Sequence, residues 1–207
     1  MILKRNFIIL NPDKEFADAQ RGAVIMENLR EKKQEKIDGK FYDMSPAADY
    51  RHSLVNGNIF YRLRGQFQDS LCAIFMENLD FCYCEDSEDY VIPDIMIICD
   101  RKNLKKGTYR GIPKFIVETL SPSTAFRDRT KKKEIYESCG VEEYWIVSSL
   151  EKAVEIYYLG ENGSYSLKDV FVLDDDISSP SYNGKLEISL KAFPHVHLRL
   201  EEIFENL

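Results

Sequence analysis

No apolar run in this 207-residue chain approaches the ~20 residues a bilayer-spanning helix requires. Near the start, Lys4 and Arg5 precede only the short run Phe7 to Leu10, with no small-residue cleavage site after it. A secretory leader is therefore not expected. Cysteine is sparse and unpatterned: five residues, at 72, 82, 84, 99 and 139, form no CxxC pair. That argues against a zinc site and reads as reduced, buried thiols in a cytoplasmic protein. Positive charge is not in excess. A formal net charge of -7 argues against general coating of nucleic acid, but allows a local basic face beside an acidic site. Internal repeats, low-complexity linkers, helix-turn-helix and zinc-finger patterns are all missing. What remains is 44% hydrophobic and 30% charged, the composition of a soluble globular domain able to bury a real core.

The expected organisation is an N-terminal extension, residues 1–32, packed on a domain spanning 33–207. The extension reads as an arm followed by an amphipathic helix from Glu15 to Glu31, with Phe16, Ala19, Ala23, Met26 and Leu29 at helical spacing. Asp38-Gly39 between Gln34–Ile37 and Lys40–Met44 signals a tight hairpin. A long helix is predicted over 47–67, with a buried stripe of Tyr50, Leu54, Ile59, Leu63 and Phe67. Short strands follow at 71–76 and 81–84. After Val147 the pattern becomes hairpins, 153–159 with 165–173, then a strand at 185–190 and a terminal helix at 198–206.

The informative stretch runs from Val91 to Val147. Two apolar runs each carry one acid: Asp94 within Val91–Cys99, and Glu118 within Phe115–Leu120. An acid inside an apolar strand is costly unless it is paired or holds a metal. Asp94, following Pro93, could be an ordinary strand-start carboxylate. Glu118 is enclosed by Ile116, Val117, Thr119 and Leu120, and its plainest alternative is a structural salt bridge. The next predicted helix, 124–139, places Asp128, Lys132, Ile135, Tyr136 and Cys139 on one face, with Lys131 and Lys133 turned aside. Lys132 therefore points inward, either to snorkel or to meet an acid. Two carboxylates at adjacent strand ends suit Mg2+, with Mn2+ as a substitute. A nearby lysine can orient water or neutralise phosphate charge. These are the parts of a phosphodiester hydrolase. Arg127, Arg129, Lys131 and Lys133 form a candidate phosphate-binding strip, with solvated helix charge as the plainer alternative. Ser121 and Ser123 have no His-Asp pair near them in sequence and read as turn or cap residues.

The order Pro93-Asp94, Glu118-Thr119-Leu120 and a helical lysine resembles the PD-(D/E)XK nuclease superfamily. More narrowly, the chain resembles the Uma-type restriction-endonuclease family. It has Glu118-Thr119-Leu120-Ser121-Pro122-Ser123-Thr124, then Asp128 and Lys132, then Tyr136, Gly140-Val141 and Glu143-Tyr144-Trp145. Ile37-Asp38-Gly39, Met44-Ser45-Pro46 and His52 fit its N-terminal pattern. The resemblance spans roughly residues 33 to 205. It implies an α/β (mixed α+β) fold with a restriction-endonuclease-like core: a central mixed sheet flanked by helices, with additional β-hairpins. It also implies Asp94 and Glu118 as metal ligands and Lys132 as the catalytic lysine. Glu35 and His52 are weaker supporting candidates. Two positions depart from the pattern: Leu120 stands where the superfamily's lysine usually sits, and Ser148 where the family run ends in Asp. The expected activity is Mg2+-dependent cleavage of DNA, with a homodimer suited to cutting two strands. The rivals are a nuclease fold that no longer cuts and serves as a binding or regulatory partner, and an interaction module with a buried Glu118–Lys132 ion pair.

Overall fold

The computed structural model describes residues 33–44 and 49–207. The expected arm and the helix at 15–31 lie outside the described residues. The chain divides into two units, Met1–Lys33 and Gln34–Leu207, and the second is described below.

Its centre is a six-stranded mixed sheet in the order β11-β10-β9-β8-β5-β3. The members are β3 (Ala73–Met76), β5 (Ile95–Ile98), β8 (Phe115–Thr119), β9 (Glu143–Ser148), β10 (Ala153–Leu159) and β11 (Tyr165–Val172). Only β8 and β9 run parallel, joined by the helical crossover that a parallel pair requires. Both faces of the central strands are covered, so β5, β8 and β9 are buried along their whole lengths. That explains their near-continuous apolar sequences.

One face packs on helix α1 (Tyr50–Gln66). Val55, Ile59 and Leu63 meet Ile95, Ile97, Phe115, Val117, Trp145 and Val147. A hairpin of β12 (Glu187–Leu190) and β13 (Phe193–Arg199), with helix α4 (Leu200–Ile203), completes this layer. The other face places Met96, Ile98, Ile116 and Ile146 against Ile37, Ile135 and Tyr136. Ile37 belongs to the hairpin of β1 (Gln34–Ile37) and β2 (Lys40–Asp43). Ile135 and Tyr136 belong to helix α3 (Lys133–Cys139). Gly140 ends that helix at φ 83°, a left-handed conformation that favours glycine.

Three expectations need correction. The thiols are not all reduced: Cys72 and Cys99 form a disulfide. Antiparallel β3 and β5 pair Ala73 with Ile98, so continuing that register brings Cys72 opposite Cys99. The predicted strand at 81–84 shrinks to β4 (Asp80–Phe81), which joins β7 (Thr108–Tyr109) and β6 (Leu104–Lys105) in a small sheet. The terminal helix begins later than expected, because Phe193–Arg199 is a strand with Val196 and Leu198 buried. Pro194 obscures it in sequence, yet proline is tolerated in a two-stranded pair.

The stripe on α1 is also rotated. Tyr50 is exposed, and the inward face carries His52 and Asn56 beside Val55, Ile59 and Leu63. Those two polar positions lead to the site. Among the described residues, no helix is long and apolar enough to cross a membrane.

Candidate functional site

The apolar column on the α3 side of the sheet ends in acids. Residues two apart on a strand share a face. Asp94 therefore follows Met96 and Ile98, Glu118 follows Ile116, and Glu35 follows Ile37. Antiparallel β5 and β8 pair Ile95 with Val117. One step further along that register, Asp94 stands across from Glu118. The strand register thus brings Asp94 and Glu118 to one end of the sheet, and Glu35 joins them from the separate β1–β2 hairpin through Lys132.

The helical crossover supplies the cation. Helix α2 (Ala125–Arg127) passes into a π-helical turn over Asp128–Lys132 before α3 begins. The wider turn is stabilised by side-chain donors on backbone carbonyls. Thr130 Oγ1 donates to the Phe126 carbonyl at 2.6 Å, and Tyr144 Oη to the Asp128 carbonyl at 3.0 Å. π-turns recur at functional positions because they re-aim side chains without ending the helix. Here the turn contains both Asp128 and Lys132, and both are buried.

Lys132 is 3% exposed. Its Nζ lies 2.6 Å from Glu118 Oε1, 2.9 Å from Glu35 Oε1 and 3.8 Å from Asp128 Oδ1. Glu35 is fixed further by the Ile92 N–H at 3.0 Å and by Arg127 Nη1 at 3.2 Å. Glu118 Oε1 also accepts from Tyr136 Oη at 2.5 Å. Asp94 Oδ2 accepts the Thr119 N–H at 2.7 Å and lies 3.0 Å from His52 Nε2. Behind it, Thr119 Oγ1 donates to Asn56 Oδ1 at 2.6 Å, and Asn56 Nδ2 lies 3.4 Å from His52 Nδ1. Asp94, Thr119, Asn56 and His52 thus close a hydrogen-bonded ring linking α1 to both strands.

Charge in this cluster is unbalanced. Four buried carboxylates (Glu35, Asp94, Glu118 and Asp128) face two fixed cations, Lys132 and Arg127. Burial pushes the Glu118 carboxyl well above the usual range, against the pull of Lys132 and helped by the neighbouring acids. Burial likewise moves Asp128 to about 6. Lys132 goes the other way: desolvation favours its neutral form, but Glu118, Glu35 and Asp128 outweigh it and raise its pKa. Burial also opposes a charged His52, yet the adjoining Asp94 carboxylate raises its pKa above the ordinary value. Tyr136, buried beside Glu118, is held as a neutral phenol.

The donor set fits a divalent cation. Among the described residues, every hydrogen bond or ion pair to the Glu118 carboxylate falls on Oε1, and every one to the Asp94 carboxylate falls on Oδ2. Each acid therefore keeps one oxygen uncommitted. Among the described residues, the grouping of three side chains able to hold a metal ion contains Asp94 but not Glu118: one ligand atom each from His52, Glu77 and Asp94 lie within 4.8 Å of one another.

The structure therefore brings together Asp94, Glu118, Lys132, Glu35 and His52. The basic strip is a different matter, because all four of its residues are already engaged. Arg127 pairs with Glu35 and lies 4.7 Å from the Tyr42 ring centroid. Arg129 pairs with Glu155 at 2.6 Å, Lys131 with Asp38 at 2.8 Å, and Lys133 sits 3.9 Å over the Tyr157 ring. Sequence reasoning missed Asn56, and it met Thr119, Asp128 and Tyr136 as motif or helix-face positions without giving them a role. The signal for Asn56 was its place four residues after His52.

Residues 23–191 match the model of the Uma2 family, described as "putative restriction endonuclease". The chain belongs to the Uma2 family. A curated relative, "Uncharacterized protein slr1290" of Synechocystis sp., is 26% identical over 140 residues, covering 67% of this chain and 73% of that protein. A solved structure, a "putative nuclease belonging to DUF820" from Anabaena variabilis, superposes with a TM-score of 0.63 at 18% identity. That match covers 84% of this chain and 90% of the other; at such identity it speaks for the fold.

Proposed function

We propose that this Uma2 member is a divalent-metal-dependent endonuclease that hydrolyses phosphodiester bonds in DNA. The observation that carries the reading is the cross-strand pair Asp94–Glu118 beside a buried lysine, each acid keeping one oxygen uncommitted. Asp94 and Glu118 would hold Mg2+ or Mn2+. Such an ion lowers the pKa of bound water and offsets charge on the phosphate.

The chain's own residues prepare that chemistry. The Thr119 N–H and His52 fix the Asp94 carboxylate, and a fixed ligand loses less entropy on binding. Lys132, held against Glu118, places a full positive charge at the scissile phosphate's end of the sheet, where it stabilises developing negative charge. Glu35 holds Lys132 and Arg127 together. Arg129, Lys131 and Lys133 would contact the DNA backbone by exchanging their present partners for phosphates. A twofold dimer suits cleavage of both strands.

One observation favours a second reading, a nuclease fold that binds without cutting. Lys132 is almost fully enclosed, and three carboxylates already surround its ammonium. A plasmid-nicking assay with Mg2+ or Mn2+ separates the two. The endonuclease reading expects metal-dependent nicking by the wild type that disappears in Asp94→Ala and Lys132→Ala. No nicking by the wild type, with retained DNA binding, supports the second reading. Nicking that survives both substitutions refutes the site.

A further inference from the structure

Glu118 Oε1 is shared by two donors from one helical segment. Lys132 and Tyr136 are four residues apart, the spacing that stacks side chains on one helix face. Nζ of the first lies 2.6 Å from that oxygen and Oη of the second 2.5 Å. Lys132 also meets Glu35 and Asp128, so it answers to several acids at once. The Tyr136 hydroxyl has Glu118 as its hydrogen-bond partner, and its ring is fully buried between Phe81 and Tyr144, 6.3 and 5.1 Å away between centroids. The ring therefore cannot swing, and the hydroxyl marks a fixed point in the site.

We propose that Tyr136 is a positioning residue for metal binding: its hydroxyl holds Glu118 Oε1 so that Oε2 is the oxygen offered to the ion. The inference rests on the reading of Glu118 as a ligand. A glutamate has three side-chain torsions, and an unfixed carboxylate presents either oxygen. Two donors converging on Oε1 remove that choice. Removing a partner that orients a metal ligand typically weakens the metal about 10- to 100-fold. Tyr109 provides an internal control. It is an equally buried tyrosine of the same core, also packed on Phe81, but its hydroxyl donates to the Ile112 backbone carbonyl instead of to a ligand or the π-turn.

The test is calorimetric titration of Mn2+ into the full chain, with Mn2+ electron paramagnetic resonance as a second readout and thermal melting recorded alongside. Tyr136→Phe is expected to weaken Mn2+ by about tenfold or more and to alter the spectrum of the bound ion. Tyr109→Phe is expected to leave both unchanged. Glu118→Gln identifies which claim has failed. If it abolishes binding while Tyr136→Phe binds like the wild type, Glu118 stands as a ligand and the role given to Tyr136 is overturned. If Glu118→Gln also binds like the wild type, the ligand reading falls and the inference falls with it. Equal weakening by Tyr109→Phe would assign the effect to packing and overturn the proposal. Should Tyr136→Phe not fold, Tyr136→Leu takes its place; failure of both would make Tyr136 a folding residue and overturn the proposal as well.

Discussion

Glu143 and Glu118 occupy neighbouring parallel strands, and both are closed off from solvent, but they are held in opposite ways. Glu143 begins β9 on the α1 face of the sheet; Glu118 lies near the end of β8 on the other face. Each oxygen of Glu143 has its own N–H donor: Trp145 Nε1 at 2.8 Å on Oε1, and the Lys191 backbone at 2.7 Å on Oε2. Glu118 has both of its donors on one oxygen and shares a lysine with two other acids. A buried acid whose hydrogen bonds are distributed over both oxygens is finished as structure. One crowded among acids, with an oxygen left over, is what the proposed metal site requires. The two are equally buried, so burial alone would not distinguish them.

The comparison is broken most severely at Lys132. Lys132→Met leaves Glu118, Glu35 and Asp128 without their shared cation, and removing one partner of a buried ion pair costs about 3–5 kcal/mol. Urea denaturation at pH 7 is expected to show a loss of that order. Stability should recover in part as the pH is lowered and the carboxyls take up protons. A loss confined to a few tenths of a kcal/mol would show that the acids do not depend on Lys132.

Next in size is the effect of the ion itself. Mn2+ at about 100 times its dissociation constant should raise wild-type stability by about 2.7 kcal/mol, read as an upward shift in melting temperature. Asp94→Asn should abolish the shift, whereas Glu143→Gln should retain it.

Much of this contrast is legible in the sequence. Asp94 and Glu118 stand out as acids within apolar runs, and the helical period turns Lys132 toward them while turning Lys131 and Lys133 away. Glu143 does not stand out in the same way, because it heads its apolar run instead of interrupting it. The structure also adds what depends on strand register. Glu35 becomes central only when the β1–β2 hairpin lies beside the Ile92 N–H, and Cys72 meets Cys99 only once β3 pairs with β5. Asn56 was hidden for another reason. A polar side chain on a helix ordinarily faces water, and its inward aim is explained by Thr119 and His52, which come from elsewhere in the chain. The π-turn is equally invisible to a regular 3.6-residue reading, although that reading placed Lys132 on the correct face.

A smaller effect sharpens the Glu143 side. Burial raises its carboxyl to about 7, despite the two N–H donors. The folded state then holds this proton more tightly than the unfolded chain. Its favourable contribution is fully present below the unfolded carboxyl range and is lost as pH rises through about 7. Over that window the shift amounts to roughly 3–4 kcal/mol. Glu143→Gln should flatten this part of the stability–pH curve relative to wild type, measured by urea denaturation from pH 4 to 8. An unchanged slope would assign the pH dependence to the acids around Lys132.

The smallest change is expected at the edge of the site. Arg129→Gln breaks a partly exposed pair with Glu155, for which stability effects of about 0–1 kcal/mol are usual. If Arg129 transfers to phosphate, the slope of log affinity for DNA against log salt should fall by about 0.9. An unchanged slope removes Arg129 from the DNA-binding strip.

The most direct test of the central claim is a Mn2+ titration of three proteins by calorimetry: wild type, Glu118→Gln and Glu143→Gln. Binding by the wild type and Glu143→Gln, with loss in Glu118→Gln, is the predicted result. No binding by the wild type, or indistinguishable binding by all three, would contradict it.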